Sequence, residues 1–190
     1  MCLLGLMMKP DCNAEIKAYG DEEEVWECLV DLSPTQEIAA GIMGFFYRES
    51  RLKSDAVAGW NVREDGICES FITEVDKGMG KEEFIQRVQD FGGYGLGQWL
   101  ARDYLSDFYD FMFEETDFGN AESIADIRAQ CEFTVESMKA NEELWQELLN
   151  CTTAIQCGRR IGIYYDGTTE EGAEAIAGFS DYYYRKMVSE

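Results

Sequence analysis

The sequence contains no histidine. That absence removes Ser-His-Asp and Cys-His catalysis, both of which need an imidazole to take the nucleophile's proton. It also removes histidine-ligated zinc. Basic residues are scarce: Lys and Arg number 16 against 38 Asp and Glu, and the formal net charge is −22. A surface of that sign repels phosphate backbones and anionic lipid, so neither nucleic acid nor a membrane surface is expected as a partner. Only two prolines are present, and no Pro- or Ser-rich linker or internal repeat breaks the chain. The apolar opening "MCLLGLMM" has no basic region before it and gives way to "KPDC". It is neither a recognisable signal peptide nor long enough to span a bilayer, so no membrane insertion is expected. Cysteines number seven, an odd count without a C-x-x-C pair, which points to free thiols at apolar positions rather than to a disulfide framework or a zinc ribbon.

What is present is a core. Hydrophobic residues make up 46% and aromatics 13% of 190 residues, enough for one domain with a buried interior. The periodicity is helical. "GDEEEVWECLVDL" (20–32) places acids in a first turn, with "DEEE" read as a solvated helix start and Val25, Trp26, Leu29 and Val30 facing inward. "SPTQEIAAGIMGFFYRE" opens on Ser33 as an N-cap, Pro34 at the first helical position and Gln36 completing a capping box, with Ile38, Ile42, Phe45 and Phe46 on one face. Further helices are expected over 81–91, from Gln98 through the Trp99, Leu100 and Tyr104 stripe, from an Asn120 cap through Met138, and over 141–149, 151–167 and 170–187. Residues 50–80, with four glycines and scattered charge, read as loop with a short hairpin. The expected fold is mainly α, with one small irregular or β-hairpin region between a Glu-bearing helix and a Gly-rich turn. An N-terminal extension (1–20) precedes a single domain (21–190).

Without histidine, acid–base work near neutrality falls to carboxyl groups with shifted pKa values, or to Lys, Tyr or Cys. "GFFYRESRL" (44–52) sets Glu49 at the end of the most apolar helix. There the negative end of the helix dipole and partial burial beside Phe45 and Phe46 both favour the protonated form, which a general acid requires. A helix end is equally the ordinary place for a solvated acid. "GGYGLG" (92–97) cannot be helical, and its glycines allow a backbone to approach a flat ligand such as a sugar ring. Gln98 can donate and accept at once. The cluster is also simply a turn, and it matches neither a phosphate-cradling P-loop nor a strand-led dinucleotide motif.

Taken together, "AAGIMGFFYRESRL" and the downstream "GGYGLGQW" resemble the phage tail-associated lysozymes, and more distantly goose-type lysozymes and lytic transglycosylases. The likeness runs from about residue 22 to residue 187 in the order of elements, with two sharp motifs. It implies a lysozyme-like domain that cleaves peptidoglycan glycan strands between N-acetylmuramic acid and N-acetylglucosamine, with no cofactor and no metal. Glu49 takes the place of the catalytic acid, with Ser50 positioning it, and Tyr94, Gly95 and Gln98 take the wall of the sugar cleft. "CTTAIQCGRRIGIYYDG" resembles a later helix ending in an aromatic–acid pair, which assigns Tyr165 and Asp166 to the same region. Phe45 stands where the family usually has Asn, and the proline usual after the Glu-bearing turn is missing.

The second carboxylate that hydrolysis needs is sought among Asp55, Glu64, Asp65, Glu69, Glu74, Asp76 and Asp90. Asp65 and Asp76 are the candidates, because loop residues between the motifs can fold over a cleft. If none is in place, the substrate's own N-acetyl group serves as nucleophile, as in a lytic transglycosylase. The alternative from another class is a non-catalytic lysozyme-like module of a phage tail or conjugation apparatus. Glu49 salt-bridged on an outer surface would favour it. Trp99 and the Met and aromatic stripes are read as core.

Overall fold

The computed structural model describes residues 16, 18, 20–57, 65–113 and 121–188, with only the backbone of 65–68. Among them are nine helices: α1 (Glu22–Leu32), α2 (Gln36–Ser50), α3 (Asp65–Asp76), α4 (Lys81–Phe91), α5 (Arg102–Phe113), α6 (Ile127–Ala140), α7 (Glu142–Leu149), α8 (Ala154–Tyr164) and α9 (Glu170–Val188). The fold is mainly α. The N-terminal extension falls almost wholly outside the described residues.

The centre is α2. Its residues from Ile38 to Tyr47 are all buried, so it is apolar all round, as a helix enclosed by others must be. Helices α8 and α9 reach it through small residues. A Cβ on Gly44 would lie 2.3 Å from Ser180 Oγ, one on Gly41 2.8 Å from Cys157 Cβ, and one on Gly158 2.2 Å from the same Ser180 Oγ. One core therefore joins α1, α2, α6, α8 and α9 around Leu29, Ile42, Phe46, Val135, Ile161 and Tyr183. A second gathers Phe71, Phe84, Tyr94, Trp99, Phe108 and Phe133 from α3–α6 and the glycine turn.

Several boundaries differ from the sequence reading. Ser33 still donates its N–H to Leu29 O at 2.9 Å and so closes α1, which moves the N-cap of α2 to Thr35, whose side chain accepts from Ile38 N. The expected loop and hairpin contain α3 instead. Phe71 and Val75, one turn apart, bury one face of it, and two isolated bridges, Val57 with Tyr94 and Tyr94 with Trp99, are the only β contacts among the described residues. Gln98 has φ 49°, so no helix passes through it; α5 begins at Arg102, Trp99 is buried and Leu100 is exposed. Asp126, accepting from Ala129 N at 2.8 Å, caps α6, while Asn120 lies outside the described residues. In "DEEE", Glu22 is not solvated: it binds the Tyr183 hydroxyl at 3.0 Å and pairs with Lys186, tying α1 to α9. Cys28, Cys131, Cys151 and Cys157 are free thiols.

Candidate active site

Helix α2 ends abruptly. Arg51 (φ 58°) and Leu52 (φ 65°) are consecutive left-handed residues without the freedom of glycine, a conformation costing about 1 kcal/mol or more each. Complete burial of Leu52 and the stacking of Arg51 on the Tyr47 ring, 4.3 Å from its centroid, hold the turn in place. Glu49 is thereby fixed one residue before the helix closes, with its side chain 21% exposed.

Two carboxyl groups share one guanidinium there. Arg48 Nη1 donates to Glu49 Oε1 and to Asp166 Oδ2 (2.9 Å), and its Nη2 donates to Thr168 Oγ1 at 3.0 Å. Asp166 arrives because α8 terminates at Tyr165: the backbone N–H groups of Tyr165 and Asp166 both return to Ile161 O, and Gly167 then turns at φ 64°. Glu49 is ion-paired, yet it is not on an outer surface. Burial pushes its pKa from 4.5 to about 7; Arg48 opposes that rise and the nearby Asp166 adds to it. Asp166, its side chain 18% exposed, is also raised, chiefly by burial and against the pull of Arg48. The site thus holds one carboxyl group near half-protonation at neutrality beside a fixed cation.

Behind it lies an aromatic wall. Tyr165 meets Phe45 edge-on (5.5 Å between centroids) and turns its hydroxyl inward to Ser137 Oγ at 2.8 Å. Burial raises its pKa well above the ordinary phenol value.

The glycine turn is built to support this end of α2. Gly95 N donates to Ala56 O at 2.8 Å, and Gln98 Nε2 donates to Ala56 O (3.1 Å) and Gly95 O (3.0 Å), so the turn is stitched to the chain leaving α2. The left-handed Gly95 (φ 76°) has no room for a side chain, since a Cβ would sit 2.7 Å from Gln130 Oε1. Gln130 is fully buried. It accepts from Leu96 N (2.8 Å) and donates to Ser54 O (2.9 Å) and Ile124 O (2.8 Å), clamping three irregular segments together. Its place on the α6 face between Ile127 and Cys131 was the one available signal in the sequence, and a polar residue there has no motif to mark it.

The structure brings Glu49, Tyr165 and Asp166 together. It places Tyr94 differently from the sequence reading: the ring is fully buried against Phe71, Phe84 and Phe108. Ser50 is turned back into its helix, donating to Phe46 O at 3.0 Å. Asp76 accepts from Ile124 N at 2.9 Å, which holds the turn before α6. Asp65 opens α3, and its side chain lies outside the described residues. Asp55 pairs with Lys53 and Glu74 with Arg87. Arg48 and Thr168 were not singled out in the sequence, because their role depends on α8 ending beside α2.

A family model described as phage tail lysozyme matches residues 21–187. The chain belongs to the phage tail lysozyme family. Its activity is therefore of the lysozyme type, directed at peptidoglycan and cell-wall degradation. Neither the curated proteins nor the solved structures compared with the chain gave a match. In this family member no helix among the described residues is long and apolar enough to cross a membrane.

Proposed function

We propose that the protein cleaves the glycan strand of peptidoglycan at the N-acetylmuramic acid–N-acetylglucosamine bond, with Glu49 as general acid. The observation that carries this reading is a carboxyl group held close to pH 7 at the open end of a buried helix. Protonated Glu49 gives its proton to the glycosidic oxygen as the C1–O bond breaks. The anion left behind is met at once by Arg48, already in hydrogen-bond contact with Oε1. Burial thus favours the acid before transfer, and the guanidinium stabilises its conjugate base afterwards. Asp166 and Thr168 orient Arg48. Partly buried Gln98 and Tyr165 are the proposed sugar contacts, while Ser50, Tyr94 and Gly95 support them from behind.

In hydrolysis, water then adds to the anomeric carbon, with Asp65 as the proposed activating carboxylate. One observation favours a second reading, lytic transglycosylation: Asp76 and Asp55 are engaged with Ile124 N and Lys53, which removes two of the carboxylates between the motifs. That favours the substrate's N-acetyl group as an internal nucleophile, later displaced by the same sugar's C6 hydroxyl to close the anhydro ring. The test is digestion of purified sacculi by wild type, Glu49→Gln and Asp65→Asn. Loss of Glu49 should lower muropeptide release by about 100-fold or more; equal release by wild type and Glu49→Gln would sink the assignment. Reducing-end products mark a hydrolase and anhydro ends a transglycosylase. Saturable binding of chitooligosaccharide without turnover marks a non-catalytic module.

A further inference from the structure

Between α5 and α6 runs a groove of about 340 Å³ that the catalytic reading leaves unused. Its floor is aromatic, formed by Tyr104, Phe111 and Phe133, and Asp107 and Glu136 stand exposed on its rim. Glu136 forms an exposed ion pair with Lys139 across one helical turn, a contact of small strength, and Asp107 takes part in no ion pair among the described residues. The groove adjoins the active-site wall. Ser137, on its edge, shares a 2.8 Å hydrogen bond with Tyr165, and the Tyr104 and Tyr165 rings meet edge-on at 5.9 Å. From Tyr165 the path to Glu49 is Asp166 and Arg48.

Aromatic faces bordered by carboxylates recognise an alkylammonium, which gains from ring quadrupoles and from the acids together. The same rim repels phosphate, so the phosphate polymers of a cell wall do not fit, and a ligand with both signs of charge is held with its ammonium toward the rim and its carboxylates turned to solvent. We infer that this groove binds the peptide stem of peptidoglycan through the free side-chain ammonium of its diamino acid. The inference rests on the glycan-cleavage reading, because the stem hangs from the muramic acid sugar next to the bond that Glu49 would break. The short apolar residues of a stem suit the aromatic floor, and the ammonium reaches the rim at Asp107 and Glu136. Cleavage then favours strands whose stems carry an uncrosslinked amine.

The test is a titration of the whole chain with N-acetyl-L-Ala-γ-D-Glu-L-Lys-D-Ala, whose only ammonium is the lysine side chain, followed by amide shifts in NMR and by calorimetry. The expected result is saturable binding with shifts centred on Tyr104, Phe111, Phe133 and Ser137, weakened about tenfold when the lysine amine is acetylated. Asp107→Asn combined with Glu136→Gln should weaken it about threefold or more with an unchanged melting temperature, both residues being exposed. Equal binding of the free and acetylated peptides, shifts elsewhere, or no saturation up to about 10 mM overturns the inference. The same titration on Glu49→Gln separates the two readings. Peptide binding without lysis by the wild type would leave the groove and remove the enzyme. Lysis at one rate on stem-bearing and stem-free strands would do the reverse.

Discussion

Between pH 4.5 and 7 the folded chain keeps a proton on Glu49 that the unfolded chain has released. Because the folded state binds more protons in that window, its stability falls as pH rises through it, and the contribution is complete only below about 4.5. The shift corresponds to about 3 kcal/mol. Urea unfolding of wild type and Glu49→Gln at pH 5 and pH 8 should show the wild type losing ground against the variant by roughly that amount; parallel behaviour would remove the raised pKa. Activity should fall on the alkaline side with a midpoint near 7. The neighbours of Glu49 move that limb in opposite directions. Asp166→Asn removes a charge that favours protonation and shifts the limb to lower pH, whereas Arg48→Met removes a cation that favours ionisation and shifts it higher. Kinetic pH profiles of the two variants decide this, and a shift of both in one direction would mean that the shared guanidinium does not set the acid's pKa.

Among elements, the approach of α2 to α8 and α9 is set by missing side chains. Gly44 and Gly158 both face Ser180, and the atoms nearest a Cβ on Gly44 include backbone N of Ser180 (2.6 Å) and backbone O of Ile176 (2.8 Å). Backbone cannot swing aside as a flexible side chain does. Gly44→Ala should therefore push α9 outward and cost about 2–3 kcal/mol, despite the better helix propensity of alanine; thermal and urea unfolding check it, and an unchanged or raised stability would contradict the packing. Gln130 is the matching case for the irregular segments. Gln130→Met keeps the volume but leaves the buried Leu96 N–H and Ile124 carbonyl, and the part-buried Ser54 carbonyl, without their partner, which should cost about 3 kcal/mol or more. Hydrogen exchange at the Leu96 amide should accelerate markedly in that variant; unchanged protection would show that the clamp is dispensable.

At the scale of the whole molecule the charge of −22 dominates. Like charges held on one compact surface repel, and salt screens them with a Debye length of about 10 Å at 0.1 M. The melting temperature should rise with added NaCl over the range in which exposed ion pairs such as Arg159–Glu174 are themselves screened, because repulsion outnumbers attraction. Digestion of an anionic wall should also accelerate from low to moderate ionic strength, as repulsion between enzyme and substrate weakens. A rate that falls monotonically with salt would point to steering by a local basic patch instead.

The two motifs and the helical periodicity were legible in the chain because they are local. A helix-ending acid after Phe45–Tyr47, four glycines within the six residues 92–97 and apolar stripes at helical spacing depend only on near neighbours. The absence of histidine depends on no neighbour at all, and it narrowed acid–base chemistry near neutrality to carboxyl groups, Lys, Tyr or Cys. The sequence thereby determined the class of fold and the family, and it singled out Glu49 as the acid to propose. Only the tertiary structure decided what surrounds that acid. Arg48 meets Asp166 and Thr168 across more than a hundred residues, Gln130 reaches Ser54 and Leu96 from another helix, and Tyr94 turns into the core. Glycine, glutamine and aspartate look alike in a turn and in a site. Their roles are fixed by which backbone groups need partners when distant elements pack, and spacing along the chain does not record that.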